Sequence, residues 1–154
     1  MIRVQREDFD IGAELDKLAA GDRSVGGVAS FVGLVRDVIG PAGGPDQISA
    51  LTLEHYPGMT ERKLAEIEAE ANRRWPLSAS LIVHRYGRLE PGDRIVLVAT
   101  ASPHREAALA ACHFLIDWLK TDAPFWKAEE TPRGERWVAA CAEDNEATRR
   151  WRGE

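Results

Sequence analysis

The sequence predicts an α+β fold with a mainly antiparallel sheet and flanking helices. Short segments of alternating or β-branched residues follow one another directly in several places, separated by turns. Apolar residues recur at helical spacing in only a few segments between them. Strands joined to strands by turns favour hairpins over repeated parallel crossovers, so most strand pairs should be antiparallel.

Length and composition predict one globular domain over residues 1–154. The chain is 44% hydrophobic and 29% charged, and no apolar run approaches the roughly 20 residues of a membrane-spanning helix. The first ten residues lack the apolar core of a signal peptide, and Cys112 and Cys141 lie far apart without a CxxC motif. We therefore expect a soluble protein of the reducing cytoplasm. A net charge of −5 argues against a general nucleic-acid binder.

The first half of the chain predicts three strands and two helices. "IRVQ" is a strand, and residues 11–20 form a helix that Gly21 ends. Residues 26–36 and 48–56 are predicted to pair as antiparallel strands. The Gly/Pro-rich residues 40–45 between them should form a mobile loop that could act as a lid. Residues 58–75 then form an amphipathic helix that Pro76 ends.

The second half predicts two strands, a helix, a hairpin and a short final helix. Residues 78–87 and 94–102 are strands joined by the turn "EPGD". Apolar residues from Ala108 to Leu119 have helical spacing. "FWKAEE" and "RWVAA" form a hairpin around "TPRGE", and "DNEATRRW" predicts the last helix.

The segment "ASPHREAA" contains a possible anion site. Ser102 is predicted as the N-cap and Pro103 as the first helical residue, which places His104 and Arg105 in the first turn. An arginine there is unfavourable beside the positive end of the helix dipole, so a bound phosphate could compensate it. The alternative, an exposed arginine paired with a carboxylate such as Glu106, remains equally open.

Three further cations stand near predicted element ends. Arg36 ends a strand just before the Gly/Pro-rich loop, where either a solvated charge or a site residue is expected. Lys120 ends the third helix, where a cation also suits the dipole. Lys127 follows Phe125 and Trp126, and partial desolvation by them would make it a better proton donor, acceptor or nucleophile. An acyl- or sulfur-transfer site is therefore plausible.

Metal and dinucleotide sites have little support in the sequence. The four histidines and two cysteines show no ligand spacing such as HxxxH or CxxC, so no metal is expected. Cys112 and Cys141 are interpreted as buried, inert thiols rather than nucleophiles. No GxGxxG or Walker-type loop occurs, and no cofactor is expected.

Nearly the whole chain resembles one enzyme family. The stretches "FVGLVR", "LTLEHYPGM", "HRYGRLEPGD", "SPHR" and "LKTDAPFWKAE" occur in this order. They are similar to the large, catalytic subunit of molybdopterin synthase. The resemblance implies an α/β hammerhead fold and a sulfurtransferase that converts a cyclic pyranopterin monophosphate into molybdopterin. It also implies a homodimer within a heterotetramer, with a small ubiquitin-like partner that carries the sulfur as a thiocarboxylate on its C-terminal Gly-Gly.

The resemblance also assigns site residues. It implies that Lys120 and Lys127 are catalytic, while the substrate is bound by Leu34, Val35, Arg36, His104, Arg105, Lys120, Lys127, Ala128 and Glu129. Leu34 and Cys141 stand where the family often has basic residues. A non-catalytic scaffold that binds a phosphorylated metabolite or a partner tail is the alternative function, although a scaffold would need neither lysine. An unrelated phosphometabolite hydrolase lacks an evident carboxylate pair.

Overall fold

The computed structural model describes residues 1–37, 47–138 and 142–153, so the predicted loop at 40–45 and Cys141 lie outside the described residues. The strands in these ranges are β1 (Ile2–Gln5), β2 (Gly27–Leu34), β3 (Ala50–His55), β4 (Ala79–Arg85), β5 (Gly87–Leu89), β6 (Arg94–Ser102), β7 (Phe125–Thr131) and β8 (Gly134–Val138). The helices are α1 (Ile11–Ala19), α2 (Met59–Arg74), α3 (Arg105–Asp122) and α4 (Ala142–Arg152). No helix in the described ranges is long and apolar enough to cross a membrane.

The described strands form two four-stranded sheets. The first sheet has the order β1-β4-β6-β2 and the second has the order β5-β3-β7-β8. Every neighbouring pair is antiparallel except β1 with β4, which is parallel. The predicted α+β class, with mainly antiparallel pairing and flanking helices, is therefore confirmed, although the strands divide between two sheets.

The predicted antiparallel pair of β2 and β3 is wrong. β2 pairs with β6 in the first sheet, whereas β3 pairs with β5 and β7 in the second. After passing from β2 to β3 and back to β4, the chain changes sheet again at Gly87, the first residue of the three-residue strand β5. Its φ of +94° is a backbone conformation that favours glycine. So short a strand carries little periodicity, and the sequence did not indicate it.

The first sheet is covered by helices on both faces. On one face, α2 and α3 bury a core that includes Leu64, Phe114 and Leu115 against Val98 of β6. On the other face, Phe9 and the apolar side of α1 pack on β4 and β6. The two central strands are therefore buried on both faces, which explains their continuous apolar runs in the sequence.

The start of α3 differs from the prediction. Ser102 is the last residue of β6, and His104 is the N-cap, so the helix begins at Arg105. The buried Ser102 hydroxyl donates to the carbonyl oxygen of Pro76 at 2.8 Å and accepts the N–H of His104 at 3.2 Å. Ser102 thus belongs to the strand because its hydroxyl is held by the turn after α2, yet Arg105 still stands in the first turn.

β2 is an edge strand that lies alongside α3. A Cβ at Gly27 would be 3.9 Å from the Cα of Arg105, so the start of the helix lies beside the start of the strand. The outer edge of β2 has no strand partner in the described ranges. Its Val28, Phe31 and Leu34 are 40%, 37% and 52% exposed. An edge strand with exposed apolar residues is a ready site for pairing with another chain.

Candidate active site

A cavity of about 620 Å³ lies where the two sheets meet the C-terminal half of α3. The end of β2, the end of α3 and one face of β7 all contribute to its wall. Most lining side chains are apolar, including Ile95, Ile116 and Leu119, and the polar ones are Arg36, His84, Lys120, Lys127 and Glu129. A mostly apolar cavity of this size with a few polar groups is typical of a small-molecule site.

A short connection holds the two lysines on neighbouring elements. Lys120 lies in the last turn of α3, and the helix ends at its C-cap Ala123. The N–H of Phe125 then donates to the carbonyl oxygen of Ala123 at 2.8 Å, which turns the chain directly into β7. Since side chains alternate along a strand, Lys127 and Glu129 share one face of β7, and both line the cavity.

Arg36 is positioned by the residue before it. Val35 is 5% exposed, and its N–H donates to the carbonyl oxygen of Asp93 at 2.9 Å. The carbonyl oxygen of Val35 accepts the N–H of Gly92 at 2.8 Å, so the turn after β5 fixes the chain as it leaves β2. These two hydrogen bonds fix the backbone next to Arg36, whose side chain lines the cavity.

The three cations of the cavity have no carboxylate partner in the described part of the chain. The structure contains no ion pair of Arg36, Lys120 or Lys127 there, and the nearby Glu129 is bonded to Arg136 at 2.8 Å. Glu129 is only 5% exposed, so this bond compensates a buried charge. Three uncompensated positive charges around one cavity favour an anionic ligand.

The expected desolvation of Lys127 by its aromatic neighbours is not found in the isolated chain, since both lysines are exposed. Trp126 points to the opposite face of β7, where its ring packs edge-on against Tyr56 at 5.0 Å, so it is not a cavity wall. Phe125 does line the cavity, but its ring stacks on His84 rather than over Lys127. Any desolvation of the lysines therefore requires a bound molecule.

His84 is a cavity residue that sequence reasoning missed. Its ring stacks on Phe125 with centroids 3.7 Å apart and an interplanar angle of 15°. Burial lowers the pKa of His84 to about 4, and the charges of Lys127 and His55 act in the same direction. The available signal was a histidine directly after the apolar run "LIV" of a predicted strand.

The cavity brings together six of the residues that the resemblance assigned, namely Leu34, Val35, Arg36, Lys120, Lys127 and Glu129. Ala128 does not line it, because this residue is on the other face of β7 and is 1% exposed. His104 and Arg105 do not line it either, since they lie at the opposite end of α3 from Lys120. The three residues remain predictions. No group of three potential metal ligands occurs in the described ranges.

The chain is similar to known proteins over almost its full length. A family profile described as "MoaE protein" matches residues 4–122. A Ralstonia nicotianae protein named molybdopterin synthase catalytic subunit is 53% identical over 150 residues, which are 97% of this chain and 83% of that protein. A structure of a molybdopterin biosynthesis MoaE protein from Burkholderia ambifaria is 52% identical, with a TM-score of 0.84 over 100% of this chain and 99% of the other.

A more distant structure has the same fold. It is a complex of subunits 1 and 2 of molybdopterin-converting factor from Helicobacter pylori, and the matching chain is 19% identical with a TM-score of 0.72 over 89% of both chains. At that identity the likeness concerns the fold alone. The profile and the close relatives together determine the assignment: this chain belongs to the MoaE family.

Proposed function

We propose that the chain is the catalytic subunit of a molybdopterin synthase, a sulfurtransferase of molybdenum cofactor biosynthesis. It converts a cyclic pyranopterin monophosphate into molybdopterin by installing two sulfurs as a dithiolene. Each sulfur comes from the thiocarboxylate at the C-terminal Gly-Gly of a small ubiquitin-like partner. The observation that carries the proposal is the cavity itself, which is largely apolar and is lined by three cations that have no carboxylate partner among the described residues.

The lysines have separable roles in this reaction. Attack on the partner's thiocarboxyl carbon, or release of sulfur from it, develops negative charge on oxygen, which an ammonium group stabilises. A lysine that has lost its proton is a nucleophile or a base. Lys120 and Lys127 approach the cavity from two different elements, α3 and β7, so one can face the acyl group while the other faces the pterin.

The open side of the cavity suits a narrow peptide tail. Both lysines are exposed in the isolated chain, so the partner's C-terminus can reach them without rearrangement of the core. Glycines at the end of that tail allow the backbone to pass close to the cavity wall because they have no Cβ. The inserted tail would exclude water from the lysines, which strengthens their electrostatic effect on the reaction.

A second copy of the chain supplies His104 and Arg105 to the same site. The Cα atoms of Arg105 and Lys120 are separated along α3 by about 22 Å, and helical side chains tilt towards the N-terminus. Arg105 therefore points away from the cavity of its own chain. If two β2 edges pair antiparallel about a two-fold axis, the start of one strand lies beside the end of the other. The first turn of the second copy's α3 then approaches Arg36.

The cellular compartment and the domain organisation are also part of this proposal. We place the protein in the cytoplasm, since its substrate and sulfur donor would both be made there and no described helix could cross a membrane. We also treat residues 1–154 as one catalytic domain, because the two sheets share the cavity and the core that surrounds it. The scaffold alternative requires an anion site but gives no reason for two lysines beside it.

The direct test combines the purified chain with cyclic pyranopterin monophosphate and a thiocarboxylated small partner. We expect a pterin product whose oxidised form has the fluorescence of molybdopterin. The matched control is the same partner ending in an ordinary carboxylate, which should bind equally in calorimetry but give no product. Binding of both partners without any product from the thiocarboxylated one would favour the scaffold alternative.

Arg105→Ala should weaken substrate binding without destabilising the protein. The loss of one charged hydrogen bond to phosphate is expected to raise the Kd of the substrate by about tenfold or more. The melting temperature without substrate should stay unchanged or rise slightly, because a cation is removed from the positive end of α3. Calorimetry and thermal unfolding measure the two effects, with Arg133→Ala as a control for an exposed arginine outside the site. A large fall in melting temperature would indicate a structural ion pair instead.

A further inference from the structure

His84 occupies the junction between the two sheets at the cavity. It belongs to β4 of the first sheet, and the stacked Phe125 begins β7 of the second sheet. His84 is 9% exposed and lines the cavity together with Lys127. The imidazole is thus held rigidly by packing while one edge of it remains part of the cavity wall.

The tautomer of His84 follows from its backbone contact. Nδ1 lies 2.9 Å from the carbonyl oxygen of Arg85. A carbonyl oxygen only accepts hydrogen bonds, so Nδ1 carries the proton and Nε2 has a free lone pair while the ring is neutral. Burial lowers the pKa to about 4, and the charge of Lys127 contributes, so the neutral ring predominates at pH 7.

Nε2 has no hydrogen-bond partner in the described part of the chain. This unpaired nitrogen is not sealed from solvent, and the His84 side chain lines the cavity. An acceptor held in place but left unpaired lowers affinity for any ligand that cannot donate to it. It therefore favours a ligand with a donor at this position.

The other polar side chains make this acceptor distinctive. Arg36, Lys120 and Lys127 are donors when charged, and they suit the phosphate and other oxygens of a ligand. The carboxylate of Glu129 is already bonded to Arg136. His84 is consequently the neutral acceptor among the described side chains of the cavity, suited to an uncharged N–H group. A pterin ring carries such groups along its edge.

We propose that Nε2 of His84 accepts a hydrogen bond from an N–H group of the bound pterin ring and thereby sets the orientation of the substrate. This inference rests on the proposed function and identifies a binding residue of the same site. The rigid stack on Phe125 fixes the direction of the acceptor, and the phosphate-binding cations act at other points of the substrate. Orientation of the ring would determine which carbons face the lysines.

The first test compares His84→Phe with His84→Gln. Phenylalanine retains an aromatic ring against Phe125 but has no acceptor, whereas glutamine can place an oxygen near the position of Nε2. For His84→Phe we expect the Kd of cyclic pyranopterin monophosphate to rise by about 5- to 150-fold, with a matching rise in KM. We also expect a lower kcat, because the bound ring is no longer held in one orientation. His84→Gln should recover much of the affinity. Thermal unfolding of both variants establishes that they fold.

The outcomes separate this inference from the proposed function. Wild-type affinity in His84→Phe, or a fall in kcat at unchanged KM, overturns the inference; the latter result would mean that His84 acts on a lysine instead. A wild-type chain that neither binds nor converts the pterin overturns both proposals.

A second measurement does not depend on any variant. In the wild-type chain without sulfur donor, the 15N resonance of the unprotonated Nε2 should move upfield when the pterin is added at neutral pH, as for an acceptor nitrogen that gains a hydrogen bond. The Nδ1 resonance, already bonded to Arg85, should change much less. An unchanged Nε2 resonance in the saturated complex would refute the proposed hydrogen bond.

Discussion

Lys127→Ala should lower the rate of dithiolene formation by about 100- to 10,000-fold, the range typical of a removed acid, base or nucleophile. The substitution removes an exposed side chain that has no ion pair in the described part of the chain, so the melting temperature should change little. Partner docking should also persist, because affinity would come mainly from the globular interface. Single-turnover assays with saturating partner measure the chemical step.

Two further variants separate charge from chemistry. Lys127→Arg keeps the positive charge but has no accessible neutral form, so it should remain strongly impaired if Lys127 acts as nucleophile or base. Lys17→Ala, an exposed lysine on α1 outside the cavity, is the matched control and should have wild-type activity. A Lys127→Ala variant with a near-normal rate would remove this residue from the mechanism.

Mixing two impaired variants should restore activity if each site is built from two copies. Lys127→Ala damages the cavity of its own chain, whereas a variant with both His104→Ala and Arg105→Ala damages the cavity of the other copy. A mixed dimer then has one intact site and one doubly damaged site. With random assembly half of the dimers are mixed, so about a quarter of all sites are intact.

The control for this experiment mixes Lys127→Ala with Lys120→Ala. Both residues line the cavity of one chain, so every site of a mixed dimer retains one defect and activity should not recover. Co-expression with two affinity tags isolates the mixed dimers. Absence of recovery in the first mixture, despite isolated mixed dimers, would contradict a site shared between copies.

Local features of the fold were predictable because they depend on short stretches of sequence. The apolar spacing of Leu64, Ile67 and Ala71 predicted α2, and all three are buried. The partners of β2 were not predictable, since strand pairing depends on contacts between distant segments. The N-cap of α3 was assigned to Ser102 because the local pattern fits, but a distant contact with Pro76 holds that residue in β6.

The site was predicted unevenly for similar reasons. Arg36 and Lys120 were indicated by their places at element ends and Lys127 by its aromatic neighbours, and the structure gathers all three in one cavity. The separation of Arg105 and Lys120 along α3 follows from helix geometry alone, so the sequence already implied that one chain would not readily place both side chains in the same site. His84 was missed because its importance comes from its stack on Phe125, which the sequence does not reveal.

The most direct test of the central claim is the mass of the pterin after one reaction with excess thiocarboxylated partner. The purified wild-type chain should yield a pterin that has gained two sulfurs, while the partner is recovered with an ordinary C-terminal carboxylate. Under the same conditions Lys127→Ala should leave the substrate mass unchanged within the time that the wild-type chain needs for completion. A wild-type reaction that leaves the pterin without sulfur, although substrate and partner are both bound, would contradict the assignment as a sulfurtransferase.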